Sequence, residues 1–433
     1  MLDRKFILEN AAAVAANCQA RGVQVDVDRF VELENLRRAK DTEVQDLNRQ
    51  ANEVSKTIGK AKDAAEREAR MAEGRKLREQ KDACQAELQA MEQELAQLHA
   101  NIPNMTHPQA PIGADDQANT EVRRGATEIR AFDFQPRDHL DLGQALDMID
   151  MEAGGQVAGH GFYFLKNDAV LLELALQQFA VQFLMSEGFT PVITPDLARN
   201  EILQGIGFIP RGPETQIYSV ENTDLSLVAT AEITLGGMYS GKILDADDLP
   251  IKLVGISHCF RTEAGAGGRA TRGLYRVHQF TKVEMFAFTK PEESDVVHEM
   301  LCNYECQLWD KLGIPYRVVD TATGDLGGPA YRKYDLEAWM PGRGENGEWG
   351  EVTSTSNCTD YQALCGGPGD HFHSGKLPAG RWQRGGARCA ATAAGQRGNW
   401  PPRRVVRRAG MGVRSSGRQG RPAFWAICKM FRG

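Results

Sequence analysis

Apolar residues near the start of the chain fall at Phe30, Leu33 and Leu36, then at Val44, Leu47, Ala51, Val54 and Ile58. Steps of three and four mark a helix that keeps one seam against a partner. The same pattern resumes at Leu77, Cys84, Leu88, Met91, Leu95 and Leu98. Between the two runs, residues 59–74 are short, charged and Ala-rich, so the bend is expected there. Two helices of similar length then form an antiparallel hairpin, each arm extending about 50 Å. Residues 1 to 26 read as a short helical cap with a turn at Gly22. The Asn101-Ile-Pro-Asn string and the Pro-rich stretch to Gly113 end the hairpin and serve as linker.

From about Asp115 the pattern turns to an α/β mix. Asp168 to Ser186 is an amphipathic helix, and Gly188 to Pro195 is a β-rich segment. Leu225 to Thr234 reads as a strand running into a turn. Ile251 to Ile256 and Tyr275 to Phe288 read as two antiparallel strands joined by a Gly-, Ala-, Thr- and Arg-rich loop. A helix follows at Glu292 to Leu312, then a loop at Asp320 to Gly328 and strands at Tyr334 to Trp339 and Trp349 to Thr355. The fold class is α+β: a long helical hairpin, then a domain built on a mixed, mostly antiparallel sheet flanked by helices.

Composition is that of a soluble globular chain of 433 residues, enough for two or three domains. No apolar run is expected to approach a membrane span, and the charged N-terminus lacks the apolar core of a signal peptide. The nine cysteines are scattered and read as reduced thiols. A cytoplasmic protein follows as the default expectation. The net charge of -7 conceals a split, because from Leu364 onward twelve Arg and two Lys face the single Asp370.

Candidate chemistry concentrates in the hairpin of Ile251 to Thr289. Arg261, Glu263, Arg269, Arg272, Arg276, His278, Lys282 and Glu284 crowd one strand-loop-strand unit. That much charge between β-forming runs is costly to bury unless it meets a charged ligand. A solvated sheet face is the plainer alternative, and the loop is not a Walker loop. Alternation places Arg261 and Glu263 on one face of the first strand. For the helical arm, a scaffolding coiled coil and a ligand-holding arm both stand. Lys56, Lys60, Lys62, Arg67 and Arg70 near its tip suit phosphates, although Glu and Asp are interleaved with them.

Longer strings narrow the choice. GFTPVITP, LVATAEIT, CFRTEAGAGGRATRGLYRVHQFTKVEMF, GDLGGPAYRKYDLEAW and GEVTSTSNCTDYQA occur in that order. With the opening MLDRKFILEN and the helical arm, the chain from Met1 to about Ala363 resembles the bacterial seryl-tRNA synthetase family, a branch of the class II aminoacyl-tRNA synthetases. The resemblance implies a tRNA-binding arm at 1–110 and a class II catalytic core at 115–363. It implies ATP-dependent ligation of L-serine to tRNA(Ser), with tRNA(Sec) left open, Mg²⁺ as cofactor, and no role for DNA or membrane. It implies a homodimer through the segment around Pro195. Thr230, Ala231, Glu232, Arg261 and Glu284 would bind serine. Arg261, Thr262, Glu263, Val277, Glu351, Val352, Thr353 and Ser354 would bind ATP, with Arg272 reaching its terminal phosphates. Arg261, Arg272 and Glu284 would act in catalysis, and Glu351 and Ser354 would hold the metal.

The resemblance stops after Ala363. The family continues with a strand and a helix that carry its third motif, and neither string occurs here. Residues 364–433 are instead rich in Gly and Arg, contain no Glu and show no sustained period. Three readings are open: a basic RNA-binding tail, a metal site at Cys358, Cys365, His371 and His373, or an out-of-frame stretch of the gene. The metal spacing matches no standard zinc pattern. The abrupt break in composition favours the third reading. The catalytic sheet would then lack a central strand, which leaves open a tRNA-binding protein that does not activate an amino acid.

Overall fold

The computed structural model describes residues 1–208, 217–242, 244–263 and 272–362, together with the backbone of residues 388–389. Two short helices, α1 (Arg4–Glu9) and α2 (Ala11–Ala20), lead into α3 (Val27–Ile58) and α4 (Ala64–Asn101). These last two form the expected antiparallel hairpin. Its bend is tighter than the composition suggested, because α4 already begins at Ala64. Asp63 caps it there, accepting from the Glu66 amide at 2.7 Å.

The seam buries Phe30, Leu33, Val44, Ala51, Cys84, Leu88 and Leu95, but Leu36 is 45% exposed. Glu34 takes the buried place instead, at 1% exposure, where Arg37 and Arg38 hold it at 2.9 and 3.1 Å and Arg4 at 3.3 Å. Burial opposes ionisation of Glu34, yet the arginines outweigh it and hold its carboxyl below the usual range. At the base of the arm, Leu2, Ile7, Val14, Phe30, Leu95 and Ile102 pack with Tyr361 of the second domain. Arg21 completes the joint by donating to the carbonyls of Asn104, Ala330, Leu326 and Gly327 at 2.8, 2.9, 3.1 and 2.6 Å.

The second domain opens with β1 (Thr120–Arg124), α5 (His139–Ala145), β2 (Ile149–Asp150), α6 (Met151–Ala158), β3 (Phe164–Leu165) and α7 (Asp168–Ser186). Next come β4 (Thr190–Ile193), β5 (Leu197–Arg199), α8 (Asn200–Ile206), β6 (Leu225–Leu227) and α9 (Ala231–Gly237). The expected strand at Leu225 to Thr234 is therefore shorter, and a helix follows it. Thr230 explains the switch: as N-cap it accepts from the Glu232 amide. The remaining elements are β7 (Ile251–Phe260), β8 (Gln279–Thr289), α10 (Ser294–Leu312), β9 (Tyr316–Asp320), β10 (Arg332–Met340), β11 (Glu348–Asn357) and β12 (Arg388–Cys389).

Two four-stranded sheets result, in the orders β1-β9-β10-β11 and β12-β8-β7-β4. All their pairings are antiparallel except that of β4 with β7. Helices α7 and α10 cover both sheets, burying Leu176, Leu184, Leu301 and Trp309 against Val254, Val283, Val318 and Leu336. α7 departs from expectation, being long and apolar enough by length and composition to cross a membrane. Its inward residues Leu176, Ala180 and Leu184 are buried, whereas Leu171 and Leu174 are 65% and 56% exposed.

Candidate active site

The β7–β8 hairpin and the start of α9 bring four of the expected residues together. Lys282 on β8 is 3% exposed. Its Nζ lies 2.5 Å from Glu284 Oε2 and donates to Thr230 Oγ1 at 2.7 Å. Thr230 in turn donates to Glu284 through a short hydrogen bond. Glu232, in the first turn of α9, accepts from Gln362 Nε2, which also donates to the Ile206 carbonyl at 3.1 Å. Burial, then the neighbouring Glu284 charge, pushes the Glu232 carboxyl up to about 7, against the pull of Gln362, Lys282 and Arg261. Ala231 is fully buried beneath this pocket. The result is a small acidic cup with hydrogen-bonding walls, suited to a compact substrate carrying an ammonium and a hydroxyl.

Arg261 sits at the rim. Its guanidinium lies 5.2 Å from the Phe280 ring centroid, and its Nε donates to the Ala229 carbonyl at 3.3 Å. Backbone bonds clamp it further: the Arg261 amide donates to the His278 carbonyl at 3.0 Å, and His278 Nδ1 lies 2.9 Å from the Arg261 carbonyl. β7 ends at Phe260, so Arg261, Thr262 and Glu263 belong to the loop and not to one strand face as expected. Glu263 has φ +50, a conformation that breaks the alternation. Its carboxylate meets Arg276 at 2.6 Å, and Val277 is buried beneath with Cys259 and Phe280.

Arg272 stands apart, paired with Asp138 at 3.2 Å and Asp141 at 2.6 Å. An anion would have to compete with those two carboxylates. Arg269 lies outside the described residues, as do Cys365, His371 and His373.

β11 carries the remaining group. Regular alternation would point Glu351 and Ser354 to opposite faces. The register shifts between Leu336 and Glu337, where Thr353 pairs with Leu336 and Glu351 with Glu337. Val352 is thus the extra residue of a bulge, and Glu351 and Ser354 return to one half-buried face. Asp335, opposite Ser354, shares that face, with its Oδ1 buried and unpartnered among the described residues. Burial, then the Glu351 charge, raises the Asp335 carboxyl to about 7, while Lys333 at 2.8 Å opposes the shift. Glu351 and Ser354 are oxygen donors of the type a hard divalent cation takes, although no group of three or more His, Cys, Asp or Glu placed to hold a metal occurs among the described residues.

The chain also resembles known proteins over most of its length. Residues 1–106 match the seryl-tRNA synthetase N-terminal domain, and residues 217–364 match the class II tRNA synthetase core domain of the G, H, P, S and T group. The serine–tRNA ligase of Rhodopirellula baltica is 64% identical over 363 residues, covering 84% of this chain and 85% of the relative. The chain belongs to the seryl-tRNA synthetase family. The Rubrobacter xylanophilus serine–tRNA ligase is 55% identical over the same length, with the same coverage. Among solved structures, the ATP-bound seryl-tRNA synthetase of Pyrococcus horikoshii superposes with a TM-score of 0.75 at 38% identity. That match covers 84% of this chain and 86% of the other. The AMP-bound cytoplasmic serine–tRNA ligase of Naegleria fowleri gives 0.70 at 31% identity, with 84% and 85% coverage. Membership in this family carries the class II fold and the ligase class that the motif order implied.

Lys282 and Gln362 went unassigned in the sequence reading. Lys282 was visible as a charge inside a β-forming run. Gln362 carried no signal, because only the fold brings it to Glu232.

Proposed function

We propose that the chain is built to activate L-serine with ATP and to transfer it to the 3′ end of tRNA(Ser). The observation that carries this reading is the acidic cup of Thr230, Glu232 and Glu284 set beside Arg261. Glu284, ion-paired with Lys282, receives the serine ammonium, and Thr230 and Glu232 bound the hydroxyl side. A pocket that hydrogen-bonds a hydroxyl rejects the analogue lacking it. Arg261 aligns the serine carboxylate with the ATP α-phosphate. The carboxylate oxygen attacks phosphorus, the bond to the bridging oxygen breaks, and pyrophosphate leaves. No strong base is required because the nucleophile is already an anion, so alignment and charge neutralisation carry the step. Glu351 and Ser354 are the residues that would hold Mg²⁺, which when bound neutralises phosphate charge. The terminal ribose hydroxyl of the tRNA then attacks the adenylate carbonyl and AMP departs.

The helical arm serves the second step. Lys56, Lys60 and Arg67 are exposed near its tip, where they suit the backbone of a structured RNA. The apolar stripe of Leu171 and Leu174, with Ile193 at 84% exposure, supports a homodimer through the segment leading to the exposed Pro195. A soluble, cytoplasmic ligase is the matching location.

A second reading has its own observation. β8 and β11 border the cup but do not pair with each other. A chain with that gap would hold tRNA without activating serine. Serine-dependent ATP–pyrophosphate exchange, measured beside tRNA binding on the 433-residue chain, separates the two. Exchange at the rate of a relative supports the ligase; tRNA binding without exchange supports the second reading.

A further inference from the structure

α10 carries two cysteines, Cys302 and Cys306, four residues apart and therefore one turn from each other on one face. Both are buried, at 1% and 5% exposure, in the cluster that also holds Tyr316 and Val318 of β9. Neither lines the cavity beside the serine cup, which meets α10 through Leu301, Glu305, Leu308 and Trp309. A break in register delivers a cation to this thiol pair. Where β1 pairs with β9, Glu121 lies opposite Val319 and Arg123 opposite Val318, so Val122 is an extra residue. Regular alternation would put Arg123 on the face of Glu121, away from α10. The bulge turns it onto the face of Val318 and Tyr316 instead. There Arg123 Nη1 donates to Cys306 Sγ at 3.7 Å and to Asn303 Oδ1 through a short hydrogen bond. Its Nη2 lies 3.6 Å from Glu299, whose carboxylate also accepts from the Tyr334 hydroxyl at 2.6 Å.

We propose that Cys302 and Cys306 form a peroxide-oxidisable dithiol, with Cys306 as the attacking sulfur and Cys302 as the resolving one. The thiolate is the nucleophile, and a guanidinium against the sulfur favours it. The Cys302 thiol first, then the Tyr316 hydroxyl and Arg123, hold the Cys306 thiol below its usual range although burial opposes them. Cys302 is pushed up, first by its bond to that sulfur and then by burial, so it keeps its proton. Burial also raises the adjacent Glu305 carboxyl well above its usual range, so it adds little negative charge there. The approach lies past Arg123, whose side chain is 37% exposed on β1, an outer strand of its sheet. The Cys306 thiolate attacks the outer oxygen of a hydroperoxide, the O–O bond breaks, and the alkoxide leaves and takes a proton to become an alcohol. Cys306 is then a sulfenic acid. Cys302 attacks that sulfur, an S–S bond forms, and the oxygen departs as water with the Cys302 proton. Two electrons have passed from the thiol pair to the peroxide. Cα atoms four residues apart in a helix are separated by about 6 Å, inside the span that a disulfide accepts. Their Cβ atoms start about 5–6 Å apart, so one turn of α10 tightens as the bond forms.

Peptide mass spectrometry tests this on the reduced 433-residue chain, treated briefly with hydrogen peroxide and then alkylated at its remaining thiols. Cys84 is the internal control, because it is buried to a similar degree, at 8%, and burial and the Glu43 carboxylate push its thiol up. Cys302 and Cys306 are expected to escape alkylation together, with the loss of two hydrogens, about tenfold or more faster than Cys84 is blocked. Cys302→Ser should leave a sulfenic acid at Cys306 that dimedone captures. Arg123→Met and Arg123→Gln should each slow the reaction about tenfold. Arg124→Met, at the neighbouring arginine that pairs with Glu121, should leave it unchanged. The proposal is overturned if Cys306 is blocked no faster than Cys84, or if it oxidises while Cys302 can still be alkylated. It is equally overturned if Cys302→Ser yields no dimedone adduct at Cys306. An unchanged rate in either Arg123 variant that folds, as judged by circular dichroism, also overturns it.

Discussion

Lys282 shows how far one side chain can organise a pocket. It is buried, so its ammonium needs partners, and Glu284 and Thr230 are the partners that also line the substrate cup. Removing one member of a buried pair leaves the other uncompensated, at a cost of about 3–5 kcal/mol. Lys282→Met should lower unfolding stability by that order in denaturant titrations. Lys282→Met combined with Glu284→Leu should recover part of the loss; no recovery would mean that the two charges do not act as a pair. Glu232 gives a pH signature of the opposite kind. Its folded value of about 7 lies above the ordinary 4.5, so the folded chain holds an extra proton between those values. The contribution is fully present below about 4.5 and is lost as pH rises through about 7. Glu232→Gln should therefore raise the melting temperature at pH 8 by a few degrees and make no difference below pH 4.5. Equal shifts at both pH values would show that Glu232 does not titrate in this window. The charges themselves were legible in the sequence, and the motif strings put Thr230 in the same set as Glu284; Gln362 was not legible, because it reaches Glu232 only through the packing after β11.

At the scale of elements, the strong periods were the legible part. The seam of α3 and α4 follows the spacing of apolar residues, and it fails only at Leu36, where three arginines draw Glu34 inward. Local chemistry overrode pattern in two further places. Thr230 caps α9 where a strand running into a turn was expected, and the Val352 bulge reverses the parity of β11. Neither follows from alternation, since a cap and a bulge are each a single-residue event. The joint between arm and core also lay beyond the sequence, as it rests on Arg21 and carbonyls 83 to 309 residues away. Burial lowers the Arg21 guanidinium to about 10, which keeps it charged at neutral pH. Hydrogen bonds from a charged donor contribute about 1.5–3 kcal/mol each before non-additivity. Arg21→Met should loosen the arm while leaving the core folded. Limited proteolysis should then cut the 102–113 linker faster than in the parent chain, with the core fragment surviving; an unchanged cleavage rate would mean that the apolar cluster alone holds the joint.

The whole molecule presents an outer face that one copy leaves uncovered. Leu171 and Leu174 project from α7, Ile193 projects from β4, and β4 forms the outer strand of its sheet. An exposed apolar stripe beside an open strand edge invites either association or aggregation, and soluble chains resolve this by covering it. The apolar character of α7, sufficient by composition for a membrane span, has a simpler account in the homodimer proposed above: one side meets the core, and the other would meet a second copy. The two-fold pairing common among soluble oligomers sets the same stripe against itself. Placing charges there makes each copy desolvate a carboxylate without a partner, at several kcal/mol per buried ion. Leu171→Glu with Leu174→Glu should therefore halve the mass measured by light scattering at micromolar concentration, while circular dichroism of the helical arm stays unchanged. A parent chain that is already monomeric at that concentration, or a double variant that keeps the parent mass, would place the dimer contact elsewhere and leave α7 unexplained.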